Sequence, residues 1–308
     1  MENVSAVKSF ILTAYIELED HRYLYFTCFL LLYILTLLFS SVLIVVIYIE
    51  RGLHGPMYLF ICNLSVNELY GSTTLLPSML NHLLSRNYEI SLTLCLLQIY
   101  CIMSYALVES TILAVMSYDR YVAICHPLHY HHLMSPRKVS AAIVLSWVAP
   151  SLFFALYFIL TLQLSFCDRY IEKLYCMNYA LVNLSCFDTT IHRYLGIALF
   201  LVCPSPQIAM ILFSYVQIFR ICWSASKESQ AKAIQTCTPH LLSVLNYAVG
   251  GLFETIQSRL NMSRVLSKFR IFLSLYVVII PPLFNPVIYG IRIQAIKVQI
   301  FKLFRREK

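Results

Sequence analysis

The residues best suited to chemistry in this chain are a few charged side chains that lie in or beside long apolar segments. Asp119 and Arg120 are neighbours at the end of one such segment, and Tyr121 follows them. An acid and a base at a membrane boundary can pair in one conformation and separate in another without leaving a charge in lipid. This pattern indicates a conformational switch rather than a catalytic site.

Two further acids, Glu68 and Glu109, lie within apolar segments. Insertion scales assign a cost of about 2.5–3.5 kcal/mol to a charged side chain at the middle of a bilayer. We therefore expect each carboxyl to be protonated, paired or turned toward an internal cavity.

The remaining pattern gives little support to catalysis or transport. The apolar segments carry no nucleophile paired with a base, and the cysteines do not have the spacing of a zinc site. A transporter or channel would need polar residues along several helices and usually related repeats. Here only Glu68 and Glu109 are deeply buried acids, so transport is a distant alternative. Signalling without enzymatic activity, and without a resident cofactor, is the class that these residues favour.

The elements that position these residues are predicted to be membrane-spanning helices. Hydrophobic residues make up 59% of the chain and charged residues 12%, and the mean hydropathy is +0.72, whereas soluble domains carry about 25% charged residues. Apolar runs of spanning length cover residues 23–49, 57–84, 95–118, 139–162, 194–222, 234–256 and 271–291. The predicted fold is an all-α, seven-transmembrane helix bundle. We expect a single domain over residues 1–308, with an extracellular tail at 1–22, the bundle at 23–291 and a cytoplasmic tail at 292–308.

The tail after the last span is predicted to form a short amphipathic helix. Ile293, Ile296, Ile300, Phe301 and Phe304 recur at helical spacing, and basic residues flank them. The formal net charge of +8 is concentrated on this side. We therefore expect the tail to contact membrane lipid of the cytoplasmic leaflet, and we expect no nucleic-acid partner.

Three signals place the N-terminus outside the cell. The first 22 residues are acidic and contain no apolar core of a signal peptide, and the inner ends of the spans are the more basic ones. Three Asn-X-Ser sequons, at Asn3, Asn183 and Asn261, then fall on the outer side, where glycosylation can occur.

Four of the eleven cysteines are predicted to face the oxidising side. Cys95 begins the third span, and Cys167, Cys176 and Cys186 lie in the long loop before the fifth. Four thiols allow three pairings, of which we favour Cys95 with Cys176 and Cys167 with Cys186. In the chain-entropy picture each disulfide would contribute about 2–4 kcal/mol to stability.

Five motifs stand in a recognisable order along the chain. They are Leu53-His54-Gly55-Pro56-Met57-Tyr58, the stretch from Met116 to Cys125, Ser214-Tyr215, Lys232-Ala233-Ile234-Gln235-Thr236-Cys237 with His240, and Pro281-Pro282-Leu283-Phe284-Asn285-Pro286-Val287-Ile288-Tyr289. Taken together they resemble the odorant receptors, within the rhodopsin-like family of G-protein-coupled receptors. The resemblance covers nearly the whole chain, and the amino-acid sequences of several spans resemble those of fish receptors more than mammalian ones.

The resemblance implies a switch at the inner end of the bundle. Arg120 would hold the third and sixth helices together until activation frees it to meet Tyr215, Tyr289 and the G protein. The residues implied in this switch and in G-protein coupling are Asp119, Arg120, Tyr121, Tyr215, Lys232, His240, Asn285, Pro286 and Tyr289. Pro286 also removes one backbone hydrogen bond, which leaves a hinge in the seventh helix. The implied partner is a stimulatory heterotrimeric G protein of the olfactory type, acting through cyclic AMP.

The resemblance also implies a pocket for a small, water-soluble odorant in the outer half of the bundle. The candidate lining residues are Ile102, Met103, Ala106, Leu199, Cys203, Tyr247, Gly251, Glu254 and Thr255. The outer rim carries Arg86, Arg169, Arg193, Arg259, Arg264, Lys268 and Arg270. These bases could attract an anionic odorant, or they could simply anchor the helix ends, and the sequence leaves both readings open.

Three further expectations follow from the resemblance. Glu68 and Glu109 would form the family's sodium or proton site close to Asn285, with a protonated structural carboxyl as the alternative. The protein would be a multi-pass component of the plasma membrane in the cilia of olfactory sensory neurons. A non-olfactory rhodopsin-like receptor for a small ligand is the alternative function.

Overall fold

The computed structural model describes residues 7–259 and 267–306, with the backbone alone at 200, 255–259, 267–272, 274, 277 and 303–306, and most of the described chain is helical. Its α-helices are α1 (Arg22–Ile49), α2 (Pro56–Ser85), α3 (Leu92–Cys125), α4 (Tyr130–Leu133), α5 (Pro136–Leu162), α6 (Asn178–Val182), α7 (Thr190–Val202), α8 (Ser205–Trp223), α9 (Lys227–Arg259), α10 (Ser267–Arg292) and α11 (Gln294–Arg306). Three short strands complete it: β1 (Ser9–Leu12), β2 (Glu89–Ser91) and β3 (Tyr170–Ile171).

The seven predicted spans are present as a helix bundle within the described residues. They correspond to α1, α2, α3, α5, the pair α7–α8, α9 and α10. The predicted all-α, seven-transmembrane fold is therefore confirmed. We call the end of the bundle that carries the three strands the strand end, and the opposite end the Arg120 end.

Hydropathy alone does not identify every span. In the described residues, four stretches are long and apolar enough to cross a membrane: Thr13–Ile49, Leu92–Cys125, Pro136–Leu162 and Ser205–Trp223. Helices α2 and α9 have the length but carry polar residues such as Glu68 and His240, both fully buried. Polar side chains that face the bundle interior lower the hydropathy of a span without exposing it to lipid.

The fifth span is interrupted, although the sequence predicts one continuous run over 194–222. Helix α7 ends at Val202 and α8 begins at Ser205, with Cys203 and Pro204 between them. A proline inside a helix lacks an amide hydrogen and its ring clashes with the carbonyl group four residues earlier. The break is short, because Ile208 again donates to the Pro204 carbonyl at 2.9 Å.

The C-terminal helix turns away from the last span. The axes of Val278–Arg292 and Gln294–Lys302 differ by 91°, so α11 does not prolong α10. Ile296 is fully buried, and Ile293 and Ile300 pack beside it against the Arg120-end core. This is the short amphipathic helix that the apolar spacing predicts.

The segment before the first span forms structure that the sequence does not predict. Strand β1 lies between β2 and β3, antiparallel to β2 with Phe10 opposite Ile90, and parallel to β3 with Leu12 opposite Ile171. A 3-10 helix over Thr13–His21 follows. The segment therefore lies across the strand end and contributes Phe10, fully buried, to the core.

Two disulfides tie the loop over 163–189 to the bundle. Cys95 is joined to Cys176 with a Cα–Cα distance of 5.4 Å, and Cys167 to Cys186 with a distance of 5.0 Å. These are the two pairings that the sequence analysis favours. Seven cysteines remain free.

Candidate functional site

A cavity of ≈ 190 Å³ lies in the strand-end half of the bundle. Its walls come from α3, α5, the 163–189 loop, α7 and one residue of α9. The described residues that line it are Met103, Leu107, Phe153, Phe154, Tyr157, Met177, Asn178, Tyr179, Val182, His192, Arg193, Gly196, Leu199, Cys203 and Glu254. Mostly apolar walls with a few polar groups are typical of a site for a small organic molecule.

Four of the nine residues predicted for a pocket line this cavity: Met103, Leu199, Cys203 and Glu254. Ile102, Ala106, Tyr247 and Gly251 are not among the described residues that line it. Ile102 packs into the strand-end core, and the Tyr247 hydroxyl donates to the Ala106 carbonyl at 2.8 Å, which joins α9 to α3. A Cβ atom added at Gly251 would meet open space, and the side chain of Thr255 lies outside the described part of the chain.

The wall formed by α5 and the 163–189 loop was not predicted from the sequence. Phe154 is buried, and Tyr157 accepts a hydrogen bond from the Asn178 amide at 3.1 Å. The Tyr157 hydroxyl also lies 3.3 Å from the His192 carbonyl oxygen, to which it donates. The aromatic cluster Phe153, Phe154, Tyr157 and Phe158 at the strand end of the fourth span was the available sequence signal.

The described bases of the rim face acids. Arg86 pairs with Glu19 at 3.0 Å, and Arg169 lies 3.8 Å from Glu89. The positive charge of Arg193 also helps to lower the pKa of Asp188, although hydrogen bonds from Thr190 are the larger cause. These contacts favour the structural role for these three arginines. Arg259, Arg264, Lys268 and Arg270 lie outside the part of the chain whose side chains the structure describes.

A cluster of buried acids and amides lies in the middle of the bundle. The Glu109 carboxylate accepts hydrogen bonds from the Asn67 and Asn285 amides, each at 3.0 Å. Glu68 lies beside it and faces Asn285 and Ser40. Each of these five residues is at most 1% exposed. The structure therefore brings together the three predicted residues, Glu68, Glu109 and Asn285, and adds Asn67 and Ser40.

Several oxygen atoms in this cluster have no hydrogen-bond partner among the described residues. They are Glu68 Oε1 and Oε2, Asn67 Oδ1, Asn285 Oδ1 and Ser40 Oγ. Carboxylate, amide and hydroxyl oxygens are the ligands that hard cations prefer. The residues present therefore fit either a sodium ion or a shared proton. The described chain contains no group of three or more His, Cys, Asp or Glu side chains suited to a metal ion.

The acid and base at the end of α3 form a closed pair. Arg120 donates to Asp119 Oδ2 through Nη2 at 2.5 Å and through Nε at 3.1 Å. Asp119 is fully buried, and Tyr130 of α4 donates to its other oxygen at 2.7 Å. Tyr121 hydrogen-bonds to His126 at 2.9 Å. Tyr130 is a member of this network that the motifs did not reveal.

A second contact joins α8, α9 and α3 near the same end. His240 Nε2 lies 3.0 Å from the Leu113 carbonyl oxygen, so this nitrogen must carry the hydrogen. Nδ1 then accepts a hydrogen bond from the Tyr215 hydroxyl at 2.5 Å. Tyr215 is therefore engaged by His240 rather than by Arg120 in this conformation.

The remaining switch residues lie on α9 and α10. Lys232 is exposed on α9, and Tyr289 is 1% exposed within α10. Pro286 lies inside α10 together with Pro281 and Pro282. Asn285 thus donates to the acid cluster through its amide, and Tyr289 packs in the Arg120-end core.

The comparisons with known proteins agree with this architecture. Residues 29–307 match a family model described as "Olfactory receptor". The chain belongs to the olfactory receptor family. It is 35% identical to mouse olfactory receptor 1E16 over 99% of this chain and 97% of that protein. It is 34% identical to rat olfactory receptor 1, over 99% and 97%, and 34% identical to human olfactory receptor 2AT4, over 92% and 88%.

Family membership fixes the coarse function. Olfactory receptors are odorant-sensing, G-protein-coupled receptors of multi-pass topology, and this receptor is accordingly a membrane protein and not an enzyme. Small-molecule odorants and a G protein are its expected classes of partner.

Proposed function

We propose that this olfactory receptor binds a small, water-soluble odorant in the ≈ 190 Å³ cavity and activates a stimulatory heterotrimeric G protein of the olfactory type, which raises cyclic AMP. The observation that carries the proposal is the path of α3. Met103 and Leu107 of this helix line the cavity, the Leu113 carbonyl holds α9, and Asp119 with Arg120 stand at its end. One rigid element therefore connects the two ends of the bundle.

Helix α9 provides the moving partner in this proposal. Glu254 of α9 lines the cavity, and two hydrogen bonds attach the helix to α3, from Tyr247 to Ala106 and from His240 to Leu113. An odorant that contacts both α3 and α9 changes the balance between the attached and the displaced position of α9. Displacement opens the Arg120 end to the G protein and frees Tyr215 from His240.

The acid cluster provides a second control on the same equilibrium. Glu68 and Glu109 hold a sodium ion, or share a proton, between α2, α3 and α10 and so stabilise the inactive packing. The free oxygens of Glu68, Asn67 and Asn285 support this role. A protonated carboxyl that is only structural is the competing proposal.

The orientation belongs to the proposal as well. The strand end faces the outside of the cell and the Arg120 end faces the cytoplasm. The receptor lies in the plasma membrane of the cilia of olfactory sensory neurons. Both disulfides then face the oxidising side, and α11 rests on cytoplasmic lipid. Asn183 is exposed and accessible for a glycan, whereas Asn3 and Asn261 lie outside the described residues.

The proposal is tested by measuring cyclic AMP in cells that express the receptor with an olfactory-type stimulatory G protein. Pools of water-soluble odorants are applied to the wild type, to Arg120→Ala and to the control Arg137→Ala, at matched surface levels. Arg137 is an exposed base at the start of α5, so it controls for loss of charge. A ligand-dependent rise that only Arg120→Ala abolishes supports the proposal. A rise that survives Arg120→Ala contradicts the proposed switch.

A further inference from the structure

Two polar side chains of the cavity, Glu254 and His192, present hydrogen-bond acceptors. Both carboxylate oxygens of Glu254 are buried, and the Tyr175 hydroxyl faces this carboxylate. His192 Nε2 lies 3.4 Å from the Leu160 carbonyl oxygen, which assigns the hydrogen to Nε2. Its Nδ1 is then an acceptor, and this buried atom has no partner among the described residues. The cavity therefore offers hydrogen-bond acceptors to a ligand.

Two residues of the 163–189 loop lie near Glu254. Lys173 brings a positive charge that favours the ionised carboxylate, and the Tyr175 hydroxyl is a hydrogen-bond partner of the same group. Lys173 is not among the residues that line the cavity. Arg193 does line it, but this residue is exposed and its charge lies near Asp188. Glu254 is thus the buried charge that the described lining presents to a ligand.

The rest of the lining suits the body of a cationic ligand. Phe154 and Tyr157 offer aromatic faces, which attract ammonium groups by about 0.5–2 kcal/mol at close range. Met103, Leu107 and Leu199 supply an apolar wall. A molecule with one positive head and a short hydrocarbon tail would match both features.

We propose that the odorant of this receptor is a small organic amine, bound as its ammonium ion with Glu254 as the counter-ion. The inference rests on the proposed function, because it names the ligand class of the same cavity. An ammonium group brings several N–H donors and no acceptor, so it can satisfy the Glu254 carboxylate and His192 Nδ1 together. Charge-assisted hydrogen bonds of this kind are about twice as strong as neutral ones.

A carboxylate odorant is the opposite class, and the cavity disfavours it. Its charge would lie against the buried Glu254 carboxylate, and like charges at close range are strongly unfavourable where water is excluded. The described rim arginines that might have attracted an anion already face Glu19, Glu89 and Asp188. Ligands that share one hydrocarbon tail but differ in head group therefore distinguish amine binding from carboxylate binding.

The experiment compares alkylamines, alcohols and carboxylates of matched chain length on cells that express the full receptor. Glu254→Gln removes the charge and keeps the shape, Glu254→Asp keeps the charge, and Glu172→Gln is the control. Glu172 is an exposed acid of the same loop as Lys173. Cells without the receptor show any effect of amines that does not depend on it, and surface levels are matched for every variant.

Amines should give the most potent responses. Glu254→Gln should raise the half-maximal amine concentration about tenfold or more, Glu254→Asp should recover part of the loss, and Glu172→Gln should change nothing. An amine response that Glu254→Gln leaves intact overturns the inference. Responses to alcohols or carboxylates but not to amines also overturn it while leaving the receptor function in place. Silence toward the whole panel overturns the amine assignment, and the broad odorant pools with Arg120→Ala then decide the function separately.

Discussion

The hydroxyl of Tyr130 donates to Asp119 Oδ1 at 2.7 Å, while Arg120 occupies Oδ2 of the same carboxylate at 2.5 Å. Tyr130 begins α4, so the connection after α3 completes the ion pair at the end of that helix. Burial, and then the nearby Asp119 charge, raise the pKa of Tyr130. The hydroxyl therefore stays protonated at physiological pH and keeps donating. Asp119, Arg120 and Tyr130 therefore form one hydrogen-bonded network.

Tyr130→Phe should raise the basal signal. The substitution removes a hydrogen bond to a charged group, which contributes about 1.5–3 kcal/mol, and thereby makes the release of Arg120 easier. Because each 1.4 kcal/mol lost from the closed state shifts the equilibrium about tenfold, we expect basal cyclic AMP to rise about tenfold or more at matched surface level. Tyr118→Phe is the control, because Tyr118 is a partly exposed tyrosine on α3, next to Asp119. Equal basal signals in the two variants would remove Tyr130 from the switch.

Gly71→Ala should destabilise the receptor through the crossing of α2 and α3. A Cβ atom at this position would stand 2.4 Å from Cδ2 of Tyr105, whose side chain is 1% exposed and cannot move aside freely. Overpacking of this kind costs about 1–3 kcal/mol. Gly52→Ala is the matched control, since a Cβ there meets nothing within 4 Å. Thermal unfolding of the purified receptor measures both, and equal midpoints would contradict the packing argument.

The acid cluster can be tested by removing sodium. Purified receptor in sodium chloride should unfold about 2–4 °C higher than in the chloride of a large organic cation, because an ion bound at about ten times its Kd stabilises by about 1.4 kcal/mol. Glu68→Gln should abolish the difference, and the exposed control Glu172→Gln should retain it. A wild type that is indifferent to sodium would leave the proton and the structural carboxyl as the two roles for Glu68 and Glu109.

The two disulfides should differ in their contribution to stability. Cys95–Cys176 closes a separation of 81 residues and Cys167–Cys186 one of 19. The chain-entropy relation then gives about 4–5 kcal/mol for the first and about 3 kcal/mol for the second. Surface expression should fall further for Cys95→Ser than for Cys167→Ser, and it should be unchanged for Cys28→Ser, an exposed free thiol. The reverse order would show that native-state contacts outweigh loop length.

The acid cluster was the more predictable of the two sites. A polar side chain within an apolar span has only the bundle interior as a favourable environment. This constraint turns Glu68 and Glu109 toward the bundle interior, and the resemblance to the odorant receptors implied that Asn285 lies close to them. The sequence did not predict Ser40 as a member of this cluster, because a small hydroxyl can bond to its own helix and so face either way.

The cavity was less predictable because apolar residues near the end of a span can face lipid or protein. On α5, Leu152 is 61% exposed and Phe154, two residues later, is 6% exposed. Only the packing of α5 against α3 and the path of the 163–189 loop decide between them. The cavity therefore contains Met103, Leu199, Cys203 and Glu254 from the predicted set, whereas its wall from α5 was not predicted.

The sheet at the strand end has a consequence for biosynthesis. Strand β1 pairs with residues that are made much later, since Leu12 lies opposite Ile171 across four spans of sequence. Contacts of such separation form slowly. Until they form, β1 and its neighbours are open edges, the kind of surface that invites wrong pairing and chaperone binding. Closure of this small sheet therefore requires that the first four spans are already in place.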